Sequence, residues 1–406
     1  MKFSFPLPLV LDGATGTNLY AAGMPQGVCV EDWIIQHPEA IQTLQKEFAK
    51  AGSNCVYAPT FGANRAKLSH YGFADQTAQL NRQLFQLSRE AVGQDILVAG
   101  DLSPTGLMPL PFGETEFDEL VDIYSQQVNA LKEAGADLII LETQMTLAEC
   151  RAGVLAAKEA GLPVFVTMTV NERGSTLMGC SLLSGLIILQ GMGVSAFGAN
   201  CSFGPEALLP VLETILPYAK IPVIAKPNAG VPDASGSGYD LTPEKMAECI
   251  GKLMEAGVRI VGGCCGTTPA HLAAIARRAK DFSGEWLPIP QEKAILANER
   301  EIFFVDDEIE VSEPILCQTD MSEELIDAED SGCGLLRIRL ESEGDGHLFS
   351  LNSHMARLPV LFSSDRTELL REALRYYNGL AALDSECSIP REELERIAAD
   401  YGALIY

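Results

Sequence analysis

The sequence predicts an α/β chain whose first two thirds close into an eight-stranded parallel barrel, followed by a smaller α/β domain. Three observations point there. Short apolar, β-rich runs recur eight times between residues 9 and 266, and segments with helical spacing lie between them. The 406 residues, 47% hydrophobic and 21% charged, supply ample material for a core. Strands alternating with helices imply a parallel sheet, and eight such units imply a (β/α)8 TIM barrel; a doubly wound open sheet is the alternative.

In order, the strand-like runs are VLDGAT (10–15), NCVYAPTF (54–61), ILVAGDLS (96–103), DLIILET (137–143), PVFVTMTV (163–170), AFGANCS (196–202), PVIAKPN (222–228) and IVGGCCG (260–266). Between them, PEAIQTLQKEFAKAG, FDELVDIYSQQVNALKEAG and PEKMAECIGKLMEAG place apolar residues three and four apart and end on glycine, the pattern of an amphipathic helix with a C-terminal stop. The barrel is assigned to residues 1–285. A linker is expected over 286–305, which opens on Pro288 and Pro290. Residues 306–406 then read as a small acidic α/β domain, with strand-like runs GLLRIRL (334–340), LPVLFSS (358–364), GLAALDS (379–385) and ALIY (403–406). That is too few strands for a second complete barrel, so the domain is expected to close in some other way or to dock on a partner.

Charge excludes some functions. The net charge of −26 would repel phosphate backbones and anionic lipid surfaces, so neither nucleic acid nor membrane is an expected partner. The imbalance is greatest in residues 301–406, which hold 24 Asp and Glu against 8 Arg and no Lys. With no apolar run long enough to span a bilayer and no recognisable export signal, the sequence reads as cytoplasmic. Its 11 cysteines are then read as reduced thiols or metal ligands rather than disulfides.

In a barrel of this kind the carboxyl ends of all strands meet on one face, where active sites are built. Here those ends carry Asp12-Gly13, Thr60, Asp101, Glu142, Asn200-Cys201, Asn228 and Cys264-Cys265. Cys201 in GANCSFGP and the pair in GGCCGTTPAH, 63 residues further on, therefore become neighbours. Adjacent side chains on a regular strand point to opposite faces, so both members of the pair reach one point only if the strand breaks there, which the flanking glycines permit. Three thiolates fill three of the four tetrahedral positions of Zn2+ and leave one for substrate. Buried inert thiols are the alternative reading, and so is a structural zinc site completed by His271, a residue expected to face solvent or an adjacent helix.

Taken together, LDGATGTN, PTFGANR, the Glu142-Thr143 pair, GANCSFGPE, PNAG and GGCCGTTPAH resemble the homocysteine S-methyltransferase family over residues 9 to about 280. PTFGANRAKLSHYGF and GDLSPTGL look most like the homocysteine-binding module of cobalamin-dependent methionine synthase. The resemblance implies a zinc-dependent transfer of a methyl group to the thiol of homocysteine, giving methionine, with Cys201, Cys264 and Cys265 as ligands. Zinc would hold the substrate sulfur as a thiolate at a pH where a free thiol is largely protonated. Glu142 is then expected to pair the substrate ammonium, with Asp12 assisting, and Gly13, Thr15 and Thr60 to hold its carboxylate. Asn200 would orient the cysteine loop. Lys226 stands where the family usually has an aromatic or acidic residue.

The methyl donor implied by that likeness is methylcobalamin on a separate corrinoid protein, because no cobalamin-binding DxHxxG motif occurs in the chain. S-adenosylmethionine, S-methylmethionine or betaine as donor, with homocysteine or another thiol or selenol as acceptor, is the alternative enzyme reading. A zinc-bound docking or sensor protein is the non-enzyme reading. The stretch LPVLFSSDRTELLREALRYYNGLAALDSE resembles part of the folate-binding barrel that follows the homocysteine module in methionine synthase, without that barrel's opening motif. The small domain is accordingly expected to act in docking or in formation of a homo-oligomer.

Overall fold

A computed structural model describes residues 5–232, 239–290, 293–306 and 308–406. The chain divides into two compact units, and the division is not linear in sequence. Met1–Leu107, Asp118–Met178 and Val194–Pro288 make the first; Met108–Phe117, Gly179–Gly193 and Ile289–Tyr406 make the second.

The first unit holds eight parallel strands: β1 (Leu9–Val10), β2 (Cys55–Tyr57), β3 (Leu97–Leu102), β4 (Leu138–Gln144), β5 (Val164–Met168), β6 (Ala196–Cys201), β7 (Val223–Pro227) and β8 (Ile260–Val261). Their order, β1-β8-β7-β6-β5-β4-β3-β2, is that of a barrel with its seam between β1 and β2. The seam carries no strand ladder. Asn54 closes it instead, donating its N–H to Val10 O at 2.7 Å and accepting Val10 N–H on Oδ1 at 3.0 Å. Inside, Leu9, Leu11, Cys55, Tyr57, Ile140, Phe165, Ile224 and Ile260 pack as one apolar plug, the filled interior that this architecture requires.

Helices form where the apolar spacing predicts them. Pro38–Ala51 begins on proline, buries Ile41, Leu44 and Phe48, and stops at Gly52, whose φ of +108° suits a residue without a side chain. Thr146 and Thr242 cap two others, accepting the N–H of Glu149 and Lys245. Strands β1 and β8 are shorter than the runs that announce them. Beyond Val10 and Val261 the backbone leaves the ladder, and those residues become the loops that carry Asp12 and the cysteine pair.

In the second unit, β9 (Ala294–Ala297) and β10 (Ile302–Val305) pair antiparallel, and β11 (Ile315–Leu316), β12 (Leu336–Arg339), β13 (Val360–Ser363), β14 (Ala382–Leu383) and β15 (Leu404–Ile405) form a parallel sheet in sequential order. This is a five-stranded arc of βα units. Its helices cover one face around Phe349, Phe362 and Leu370. Leu296 and Val305 of the hairpin pack with Leu335, Leu361 and Ala382 in a second apolar cluster. The stretch 286–305, expected as a linker, therefore carries a hairpin that shares in closing the arc. Asn298 Oδ1 makes its turn by accepting the N–H groups of Arg300 and Glu301. Leu296 is fully buried, so Leu296→Ala should cost about 2–5 kcal/mol of unfolding free energy in urea titration. A linker residue would change it by less than about 0.5 kcal/mol.

Candidate active site at the carboxyl ends of the barrel strands

Strand β6 ends in strained backbone. Cys201 and Ser202 both lie at φ +56°, the left-handed region that non-glycine residues rarely occupy, and Thr143 just inside the end of β4 lies at +58°. This turn aims Cys201 inward, toward the loop after β8. That loop needs its glycines: a side chain on Gly263 would come within 2.4 Å of Thr267 Cγ2, and Gly266, at φ +78°, lies against the Tyr239 ring. Thr267 Oγ1 donates to Cys264 O at 2.7 Å and accepts Ala14 N–H at 3.0 Å, joining the cysteine loop to the first one.

As a result, the ligand atoms of Cys201, Cys264 and Cys265 all lie within 4.8 Å of one another, the one cluster with metal-ligand spacing among the described residues. Cys201 Sγ and Cys265 Sγ are 3.9 Å apart. Three sulfurs around a tetrahedral zinc at 2.3 Å stand roughly 3.8 Å apart, whereas a disulfide requires roughly 2.05 Å. Hydrogen bonds from Cys201 and Cys264 hold the Cys265 thiol down to about 3, and the same sharing pushes Cys201 up. Asn200 lies between the ends of β4 and β6 and the cysteine pair. Its Oδ1 accepts Thr143 N–H at 3.0 Å, and its Nδ2 donates to Thr143 Oγ1 at 2.8 Å and approaches Cys264 Sγ at 3.8 Å. His271 is no ligand: it is buried, caps its own helix through Thr268, and contacts Leu241 O through Nε2 at 2.9 Å.

The cysteines sit in a cavity of about 660 Å3 that is also lined by Gly13, Thr15, Tyr57, Asp101, Glu142, Thr143 and Lys226. Its outer wall carries Tyr20, Phe61 and Tyr71, each partly exposed, and Lys67, whose Nζ lies 5.0 Å from the Phe61 ring centre and donates to Ser103 Oγ at 2.9 Å.

Lys226 changes the expected roles of the acids. Its ammonium is buried, 2.8 Å from Glu142 Oε1, 3.4 Å from Asp12 Oδ1 and 4.2 Å from the centre of the Tyr57 ring. Glu142, expected to await a substrate ammonium, is thus already paired with an internal one. Asp12 is not among the cavity-lining residues; its Oδ2 accepts Tyr57 N–H at 2.8 Å. Thr60 is fully buried and does not reach the cavity either. Its hydroxyl accepts Asp101 N–H at 3.0 Å and donates to Asp101 O at 2.9 Å, tying β2 to β3 rather than holding a ligand. Sequence reasoning named Asp101 as a strand end and Lys226 as unusual for the family, and gave neither a role in the site. A lysine inside the apolar run PVIAKPN was the available signal, because a buried cation requires carboxylates around it.

Burial raises the Asp12 carboxyl to about 6 against the pull of Lys226, and it also raises Glu142 and Asp101. Acids raised in the folded state take up protons there before the unfolded chain does, so their contribution to stability falls as pH rises. Lys226→Met leaves buried carboxylates without a counter-charge. It should cost about 3–5 kcal/mol in chemical denaturation near pH 8, and less near pH 5.5, where protonation relieves them. An equal loss at both pH values would contradict this account.

Comparison with known proteins agrees with the geometry. The chain is 28% identical to methionine synthase of Mycobacterium tuberculosis over 423 aligned residues, covering 93% of this chain and 35% of that one. It is 32% identical to methionine synthase of Mycobacterium leprae over 289 residues, covering 66% and 24%. The chain thus spans about a third or less of the length of these relatives. The homocysteine methyltransferase MmuM from Escherichia coli shares the fold: its oxidized form superposes with a TM-score of 0.58 at 24% identity, covering 66% of this chain and 95% of that one. Its metallated form gives 0.56 at 24%, covering 66% and 96%. The profile described as homocysteine S-methyltransferase matches residues 9–279, the whole span of the barrel strands and their cysteine loops, and the chain belongs to that family.

Proposed function

We propose that this chain transfers a methyl group to the thiol of homocysteine, giving methionine, at a zinc ion held by Cys201, Cys264 and Cys265, with methylcobalamin on a separate corrinoid protein as donor. The observation that carries the proposal is the convergence of three cysteine sulfurs, all within 4.8 Å of one another and one pair at 3.9 Å, on a cavity that Asp101 and Glu142 also line.

The donor set suits zinc: sulfur ligands select it over hard cations, and three protein ligands are characteristic of catalytic sites. Zinc bound there supplies the positive charge that keeps an incoming thiol deprotonated at neutral pH. The chain's own residues do the rest. Asn200 and Thr143 brace the Cys201 and Cys264 loops, so the sulfurs meet without searching. Gly13 and Thr15 line the cavity where backbone N–H groups receive the substrate carboxylate. The acidic cluster attracts its ammonium, while Lys226 keeps the buried charge from accumulating.

Homocysteine has eight non-hydrogen atoms and fills a small part of 660 Å3, so the outer compartment is left for the donor. The aromatic wall of Tyr20, Phe61 and Tyr71 suits a large planar group. The resemblance of PTFGANRAKLSHYGF and GDLSPTGL to the homocysteine-binding module of cobalamin-dependent methionine synthase favours methylcobalamin over S-adenosylmethionine, S-methylmethionine and betaine.

Protein purified without oxygen should carry about one zinc per chain, and homocysteine binding should release about one proton. Cys264→Ala should lose both the metal and the proton release. With isotopically labelled donors, methyl transfer is expected from methylcobalamin and not from S-adenosylmethionine, S-methylmethionine or betaine. Protein that takes up no zinc and binds no thiol would overturn the proposal. Turnover with a sulfonium or betaine alone would overturn its donor assignment.

A further inference from the structure

Homocysteine, the acceptor proposed above, must place an ammonium beside the cysteines. Glu142 is the acid expected to receive it, but Lys226 Nζ already lies 2.8 Å from Glu142 Oε1. Asp12 is committed as well, with Oδ2 on Tyr57 N–H and Oδ1 3.4 Å from Lys226. Asp12 Oδ1, like Asp101 Oδ1, accepts no hydrogen bond, but it stands in that ion pair and Asp12 does not line the cavity. Asp101 ends β3, is 5% exposed and lines the cavity, yet its Oδ1 is buried and accepts no hydrogen bond. A buried carboxylate oxygen in that condition is costly unless a ligand satisfies it.

Its mounting is rigid. Thr60 Oγ1 grips the Asp101 backbone on both sides, N–H at 3.0 Å and carbonyl at 2.9 Å. Gln127 Nε2 holds Thr60 in turn, donating to its carbonyl at 2.7 Å and to Asn81 Oδ1 at 3.1 Å. The backbone that carries the carboxylate is therefore held in place at the cavity wall, a pre-organisation that a merely space-filling residue does not need. Charge leads to the same place. Lys226 pairs with Asp12 and Glu142 and leaves Asp101 without an ion pair, so a cation arriving at Asp101 would hold its carboxyl ionised.

We propose that Asp101 is the direct acceptor of the α-ammonium of homocysteine, and that Lys226 makes it so by occupying Glu142 and Asp12. Asp101 thereby becomes a specificity residue, since it rewards an α-amino thiol and gives nothing to the corresponding thiol acid. Thr60 acts through it as a positioning residue. The inference rests on the homocysteine reading above, and the test separates the two.

Zinc-loaded full chain is titrated calorimetrically with homocysteine and with 4-mercaptobutyrate, which keeps the thiol and carboxylate and lacks the ammonium. Wild type should prefer homocysteine. Asp101→Asn, nearly isosteric, should weaken homocysteine about 10- to 100-fold, the worth of a hydrogen bond to a charged group, and leave 4-mercaptobutyrate unchanged. Zinc content should not change. Asp101→Ser reads the same ratio if the asparagine variant does not accumulate folded. Equal weakening of both thiols would assign Asp101 a structural role and overturn this inference alone. Wild type that binds neither thiol would overturn the homocysteine reading, and the inference with it.

Discussion

Strands β1 and β2 share no ladder, so the barrel depends on side chains at its seam. Asn54 joins the two strands from one end. Beside it Ser53 Oγ donates to Leu11 O at 3.1 Å, and from the other end Asp12 Oδ2 reaches across to Tyr57 N–H at 2.8 Å. The same Asp12 presents its second oxygen to Lys226. One buried carboxylate therefore helps to close the barrel and to anchor the cation that balances its mouth. This is why the acidic cluster and the fold cannot be treated separately: a change in the charge beneath the cavity is also a change in how the first two strands meet.

The cysteine site is built at the cost of local backbone strain. Non-glycine residues at positive φ cost about 1–3 kcal/mol each, and Thr143, Cys201 and Ser202 all carry that conformation. The strain is offset by hydrogen bonds that leave little freedom. Ser202 Oγ accepts Val170 N–H at 2.9 Å and donates to Asn200 O at 3.1 Å, while both polar ends of Asn200 engage Thr143. A thiol aimed inward from the end of a parallel strand needs such a turn. In the opposite loop glycine does the same work without strain, which explains why Gly263 and Gly266 flank the cysteine pair.

Topology made much of this legible in advance. Once eight strand–helix units are counted, the carboxyl ends must converge, and Cys201 must meet Cys264 and Cys265 whatever the intervening sequence. The assignments that moved were those depending on which polar groups pair with one another. Thr60 looks like a ligand contact in sequence, yet its hydroxyl is consumed by the backbone of Asp101. His271, expected at the surface or against a helix, is drawn into a cap by Thr268. Lys226 reads in sequence as unusual for the family it resembles, but only coordinates reveal that it sits on Glu142. The hairpin at 294–305 was hidden by Pro288 and Pro290, which dominate a short segment whose buried residues, Ile295, Leu296, Ala297 and Val305, are few. Local composition speaks for itself; pairings across the barrel do not.

The central claim is that the thiol acceptor takes the fourth position beside three cysteine sulfurs. X-ray absorption at the zinc edge, on the zinc-loaded chain with and without selenohomocysteine, tests it most directly. The account predicts a shell with three sulfur scatterers from the protein throughout and a new selenium scatterer at bonding distance once the selenol is added. A shell of four protein ligands that does not change on addition of the selenol would contradict it.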